Sequence, residues 1–307
     1  MRERPDPVDA ETLGAARRIV QDVKERGQEA VREHAERLGD LRPGDPMVLG
    51  RDRMRQALEQ MDASDRELLE RTASRIRHFA TMQRESLVTV ESSIPGGRAG
   101  HEVAAVARAG CYAPGGRFPL PSSVLMTAVT ARTAGVREVW VASPRPAPAT
   151  LAAAAVADAD GLLAVGGAQA IAALTCGAGD VPACDVVVGP GNRWVTAAKQ
   201  IVCGRVGIDM LAGPSELVVL ADRAARPDLV AADLLAQAEH DPDALPVLVT
   251  TSDSLARSVE GELERQLADL PTADTARQAL KNGFVVLVGT MDEAILACDV
   301  LAPEHLE

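Results

Sequence analysis

Two short runs hold the side chains best suited to chemistry. Gln237 and His240 stand three residues apart in a stretch, 227–240, whose apolar spacing predicts a helix. Positions i and i+3 share a helix face, so the pair could grip one ligand or one metal ion. Imidazole is a standard zinc ligand and a carboxamide an uncommon one, which makes the pair alone a weak metal signal. The second run is Leu301-Ala302-Pro303-Glu304-His305-Leu306-Glu307. Adjacent Glu304 and His305 behind a proline would put two proton-transfer groups at one site. On composition alone the same run reads as a solvated chain end. His34 reads as a solvated member of a charged helix, and His78 and His101 have no evident partner.

Three glycine-rich turns sit between predicted strands and helices: Ala113-Pro114-Gly115-Gly116-Arg117, Val165-Gly166-Gly167-Ala168-Gln169 and Gly189-Pro190-Gly191-Asn192. Backbone N–H groups and a helix N-terminus at such a turn can hold an anion, a dinucleotide pyrophosphate for example. None is G-x-G-x-x-G, so the usual dinucleotide fingerprint is absent, and singly each reads as a tight βα turn. Three in one segment, two of them followed by an amide side chain (Gln169, Asn192), point to a ligand crevice.

The elements that must position these groups follow from periodicity. Apolar residues recur at helical spacing from Glu11 to Leu38 and from Met54 to about Met82, around a loop with Gly39, Pro43, Gly44 and Pro46. Residues 86–92 alternate like a strand before a Pro95-Gly96-Gly97 turn. Beyond them strands are predicted at 103–106, 139–142, 162–165, 186–188, 217–220, 247–250 and 284–288. Helices are predicted between them, at 123–134, 150–159, 168–176, 192–202, 227–240, 254–270 and 273–281. Such alternation means parallel sheets covered by helices, an α/β fold preceded by a helical N-terminal region.

Composition narrows the partners. The 307 residues carry a net charge of −12, which opposes nucleic acid or an anionic membrane as the main partner. Aromatic residues make up 2%, too few for base-stacking platforms. No apolar run reaches the roughly 18 residues of a membrane span, and the charged start Met1-Arg2-Glu3-Arg4-Pro5 has no signal-peptide h-region. Cys111, Cys176, Cys184, Cys203 and Cys298 form no CxxC pair, so free thiols in a reducing cytoplasm are expected.

Taken together, the motifs resemble the histidinol dehydrogenase family. The resemblance rests on Gly110 to Gly135, with Tyr112, Pro114-Gly115-Gly116-Arg117 and Pro121-Ser122-Ser123-Val124-Leu125-Met126. It continues through residues 165–174, Gly189-Pro190-Gly191-Asn192, Ala212-Gly213-Pro214-Ser215-Glu216, Gln237-Ala238-Glu239-His240 and Ala302-Pro303-Glu304-His305-Leu306. These occur in family order and cover the chain from about residue 100 onward.

The resemblance implies oxidation of L-histidinol through the aldehyde to L-histidine, with two NAD+ reduced, in a cytoplasmic homodimer. Gln237 and His240 would be zinc ligands, the zinc holding the substrate's imidazole and amino group. His305 would take the alcohol proton and also touch substrate, and Glu304 would help activate the water that hydrates the aldehyde. Ser215 would contact substrate; Tyr112, Gln169 and Asn192 would contact NAD. The fold implied is two Rossmann-like domains lacking the glycine fingerprint, one formed by 1–107 with 214–307 and the other an inserted 108–213.

The family has further zinc ligands, an aspartate and a histidine, downstream of the Glu-His pair, on a small region that crosses the dimer. The expectation is therefore a fragment of a longer chain, or else a shortened family member, with weak zinc binding and slow or no turnover. Rival expectations are a dehydrogenase of another polar alcohol, such as a sulfonated diol, and a non-catalytic remnant binding nucleotide or a partner. The run Pro119-Leu120-Pro121-Ser122-Ser123 resembles the histidinol form.

Overall fold

The computed structural model describes residues 8–115, 119–211 and 215–307. The charged start, Gly116 and Arg117 of the first glycine-rich turn, and Ala212-Gly213-Pro214 lie outside the described residues. The chain divides into two compact units, Met1–Ala212 and Gly213–Glu307. Among the described residues no helix is long and apolar enough to cross a membrane.

The first unit is built on a six-stranded sheet. In chain order its strands are β1 (Val48–Gly50), β4 (Arg108–Tyr112), β5 (Glu138–Ala142), β6 (Gly161–Leu163), β7 (Val186–Val188) and β8 (Gly207–Ile208). β2 (Val90–Ile94) and β3 (Gly97–His101) form a separate hairpin around Gly96, as the sequence suggests. The sheet order is β1-β6-β5-β4-β7-β8, parallel throughout except for the antiparallel edge strand β1. Valines 139, 141 and 187 and leucines 162 and 163 are fully buried, the signature of parallel strands covered on both faces.

The expected strand at 103–106 is not one. Val103 and Val106 are exposed, and the central strand lies just beyond them at Arg108–Tyr112. Small residues are needed there, because the helix Gly167–Cys176 presses Leu174 onto Gly110, where a Cβ would sit 3.0 Å from the leucine Cδ1. A strand made of alanine, glycine and cysteine does not look like an apolar run.

Four helices precede β4, two on either side of β1 in the chain. Gly27, at φ +59°, splits the first predicted run into Ala10–Arg26 and Gln28–Arg37. The second becomes Arg51–Glu59 and Ala63–Glu85. Helix Ala10–Arg26 packs on Gly167–Cys176 and Arg193–Val202, so the N-terminal segment shares the core of the first sheet.

The second unit is a four-stranded parallel sheet, β11-β10-β9-β12, from β9 (Glu216–Ala221), β10 (Leu245–Thr250), β11 (Phe284–Leu287) and β12 (His305–Leu306). Alternate residues of β9 face opposite layers. Leu217, Val219 and Ala221 pack with Val230, Ala231 and Leu234 of helix Pro227–Ala238, whereas Val218 packs with Ala294 and Cys298 of helix Met291–Leu301. Helices therefore cover both faces. The α/β class expected from the sequence, with two Rossmann-like parallel sheets and a helical N-terminal region, is what the chain adopts.

Candidate functional site

Two regions gather the residues singled out above, one in each unit. In the first, the chain leaves β4 for β5 and β6 on one side, then returns to β7 and β8 on the other. Such a reversal opens a crevice beyond the carboxyl ends of the two diverging strands. Tyr112 ends β4 and Gly189 follows β7, so both border it. The peptides touch: Gly189 has φ +121°, and a Cβ there would overlap the Tyr112 carbonyl oxygen. Only glycine fits that position.

The Gly189 peptide is held from both sides by a pair that sequence inspection missed. The buried Lys199 Nζ donates to Gly189 O at 3.0 Å and forms an ion pair with Asp209. Asp209 Oδ2 in turn accepts from the Gly189 N–H at 2.7 Å. Asn192 starts helix Arg193–Val202 as its N-cap, Oδ1 accepting from the N–H groups of Trp194 (3.1 Å) and Val195 (3.3 Å). One face of the predicted nucleotide contact is thus already committed to ending the loop.

Tyr112 Oη accepts from the Gly167 N–H at 3.2 Å, and burial pushes its phenol up to about 12. Gln169, one turn further on, is buried at 1% exposure. Its Nε2 donates to Asp40 Oδ2 at 3.3 Å, while its Oε1 has no hydrogen-bond partner. The same Asp40 oxygen accepts from the Gly166 N–H at 2.9 Å, and burial raises the Asp40 carboxyl above its ordinary value. Two helix N-termini, two glycine turns and one orphaned buried acceptor therefore meet at the carboxyl edge of the sheet. That set suits a dinucleotide.

The second region lies at the opposite edge of the other sheet. Helix Pro227–Ala238 runs against its strands, so its C-terminal end stands over the amino ends of β9 and β12. A cavity of about 190 Å³ there is lined by Leu217, Asp233, Ala236, Gln237, His240, His305 and Glu307. Three of the predicted site residues, Gln237, His240 and His305, thus share one cavity. The helix stops at Ala238, earlier than expected, and His240 lies in the following turn, its N–H donating to Gln237 O at 3.3 Å. Gln237 is buried, and its Nε2 has no partner.

His305 is not on a loose end. Helix Met291–Leu301 closes on Ala302 at φ +42°, Pro303 follows, and His305 pairs with Leu217 as β12 adds to the sheet. The Glu307 N–H donates to Val218 O at 3.0 Å and its carbonyl accepts from the Leu220 N–H at 2.8 Å. Glu304 Oε1 lies 3.7 Å from His305 Nε2, although Glu304 does not line the cavity. Ser215 is not among the lining residues either; its carbonyl accepts from the Leu245 N–H.

Gln237 and His240 could furnish two donors to a metal. Zinc ordinarily takes four, and among the described residues no three His, Cys, Asp or Glu side chains come together as a metal site. These residues alone therefore do not make a zinc site.

A family model for histidinol dehydrogenase matches residues 2–307. The chain belongs to the histidinol dehydrogenase family. The histidinol dehydrogenase of Thermus thermophilus is 48% identical over 293 residues, 94% of this chain and 69% of the relative. That of Parasynechococcus marenigrum is 44% identical over 94% of this chain and 67% of its own length. The crystal structure of histidinol dehydrogenase from Elizabethkingia anophelis superposes with a TM-score of 0.91 at 31% identity, covering 99% of this chain and 71% of that one. Members of the histidinol dehydrogenase family are oxidoreductases acting on a small molecule.

Proposed function

We propose that this chain oxidises L-histidinol through the aldehyde to L-histidine in histidine biosynthesis, using NAD+ bound at the first region. The observation that carries it is the shared cavity of Gln237, His240 and His305 in a histidinol dehydrogenase fold. Bound NAD+ supplies the hydride acceptor. Tyr112, Gln169 and Asn192 contact it, Gln169 through the buried Oε1 that has no partner in the protein.

In the alcohol step, His305 Nε2 takes the hydroxyl proton while the C–H electron pair leaves as hydride. Imidazole suits this because it exchanges protons near neutral pH, and the developing C=O makes hydride departure easier. Glu304, beside His305, then accepts a proton from the water that adds to the aldehyde, and the hydrate passes its hydride to a second NAD+ and a hydroxyl proton to solvent, which leaves the acid. Gln237 and His240 hold the substrate end that carries the imidazole and amine, with Ser215 as a further contact. The C-terminus of helix Pro227–Ala238, with its partial negative charge, favours a cation at that position.

The family's zinc, when bound, fixes the substrate's nitrogen donors. Gln237 and His240 would be its ligands from this chain, and no step above runs through it. With the same reading go a cytoplasmic homodimer and a domain plan in which 108–213 is inserted between 1–107 and 214–307.

The test is NADH formation by the purified chain with zinc, NAD+ and L-histidinol, set against a sulfonated diol and an alcohol lacking imidazole. NADH from L-histidinol alone is expected. Equal rates with all three alcohols, or NADH only from the diol, would remove histidinol as the substrate.

A further inference from the structure

The amide of Gln169, whose Oε1 is left without a partner, is held by a residue 129 positions away. Asp40 sits at the end of helix Gln28–Arg37, where Gly39 at φ +80° terminates the helix. The Asp40 N–H donates to Ala35 O at 2.8 Å, which fixes the backbone of the loop. Its side chain then crosses to the turn after β6. One carboxylate oxygen receives both the Gly166 N–H and the Gln169 Nε2.

A carboxylate only accepts, so a carboxamide beside it must present its NH2. Turning the Gln169 amide over would set Oε1 against Asp40 Oδ2, two acceptors without a proton between them. The orientation of the amide, ordinarily a matter of inference, is here settled by charge. Oε1 is consequently the acceptor left free, and it lies in a nearly fully buried side chain where an unmet acceptor is costly. A donor from outside the protein satisfies it. On a dinucleotide, that donor is a ribose hydroxyl or a carboxamide N–H.

We propose that Asp40 is a positioning residue for the dinucleotide: it locks the Gln169 amide with Oε1 as the free acceptor and holds the Gly166 peptide of the same turn. This rests on the reading that the first region binds NAD+. Asp40 makes no contact with the reacting atoms. Its burial works against its own charge, so its ionised form does not serve the stability of the unliganded chain.

The experiment is a double-mutant cycle on NAD+ affinity, measured by calorimetry on the 307-residue chain, with wild type, Asp40→Asn, Gln169→Ala and the double variant. Asparagine matches the shape of aspartate but can donate, which frees the Gln169 amide to turn over. Asp40→Asn is expected to weaken NAD+ binding about tenfold with no fall in the melting temperature of the free protein. The double variant is expected to bind no worse than Gln169→Ala, because Asp40 acts through Gln169. Wild-type affinity in Asp40→Asn, or losses that add in the double variant, would overturn the role of Asp40 and leave the nucleotide site standing. Absence of NAD+ binding by the wild type would remove the site itself, and the Asp40 proposal with it. If Asp40→Asn does not fold, Asp40→Glu takes its place in the cycle under the same additivity criterion.

Discussion

The two regions use opposite edges of similar sheets. In the first unit, the residues proposed to hold NAD+ gather at the carboxyl ends of β4 and β7, where helices Gly167–Cys176 and Arg193–Val202 begin. In the second, Gln237, His240 and His305 gather at the amino ends of β9 and β12, where helix Pro227–Ala238 finishes. Helix starts carry partial positive charge and helix ends partial negative charge. The first edge therefore suits a pyrophosphate and the second a protonated amine or a metal ion. The two also differ in how far they are prepared. Glycine turns, the ion pair of buried Lys199 with Asp209, and the Asp40 carboxylate hold the backbone of the first. At the second, the His305 side chain is 55% exposed and the Gln237 Nε2 has no partner.

The largest effect that sharpens this contrast is expected from His305→Asn. It removes the proton acceptor but leaves β12 and the nucleotide region untouched, so the hydride step should fall about 10²–10⁴-fold while NAD+ affinity stays at wild type. Stopped-flow NADH formation and an NAD+ titration check both halves; a parallel fall in affinity would mean the two functions are not divided as described.

Gly189→Ala attacks the other region. Its φ of +121° and the overlap with Tyr112 O leave no room for a methyl, so the unfolding free energy should drop by about 3 kcal/mol and NAD+ binding should be lost. A denaturant titration decides it, and unchanged stability would show that the turn relaxes freely.

The smallest effect concerns pH. Arg26 first, then His34, hold Asp22 down at about 2, whereas burial raises Asp40. A depressed carboxyl contributes stability above its unfolded value of 3.8 and loses it as pH falls through about 2. A raised one costs stability when ionised and sheds that cost on acidification. Asp22→Asn should thus lower the melting temperature at pH 6 by about one degree, because surface pairs contribute little, whereas Asp40→Asn should not lower it. The gap between the melting curves of Asp22→Asn and wild type should narrow from pH 6 to pH 3 and close only below about pH 2.

Sequence patterns revealed what depends on composition and local spacing. β5, β7, β9 and β10 are valine- and leucine-rich, as buried parallel strands are, and the more exposed β11 carries the same residue types. β4 escaped because contact with Leu174 selects small residues, and β12 because two residues show no period. Gln237, His240 and His305 were singled out by the family resemblance, their spacing and chemistry alone being a weak signal. That β12 would fix His305 against Leu217 was not legible, because pairing with a strand almost 90 residues earlier leaves no local mark. Asp40, Lys199 and Asp209 were missed for the same reason: each acts through a backbone or amide group distant in sequence, and a lone aspartate in a polar loop looks solvated.

The most direct measurement of the division between the regions is a single-turnover reaction, with the chain and zinc in excess over L-histidinol and NAD+ supplied. Excess protein makes slow turnover immaterial. We expect two NADH for each L-histidinol consumed, with L-histidine as product, and none from His305→Asn under conditions where it still binds NAD+. Wild-type chain that holds NAD+ yet forms no NADH from L-histidinol would contradict the assignment of the second region as the site of alcohol oxidation.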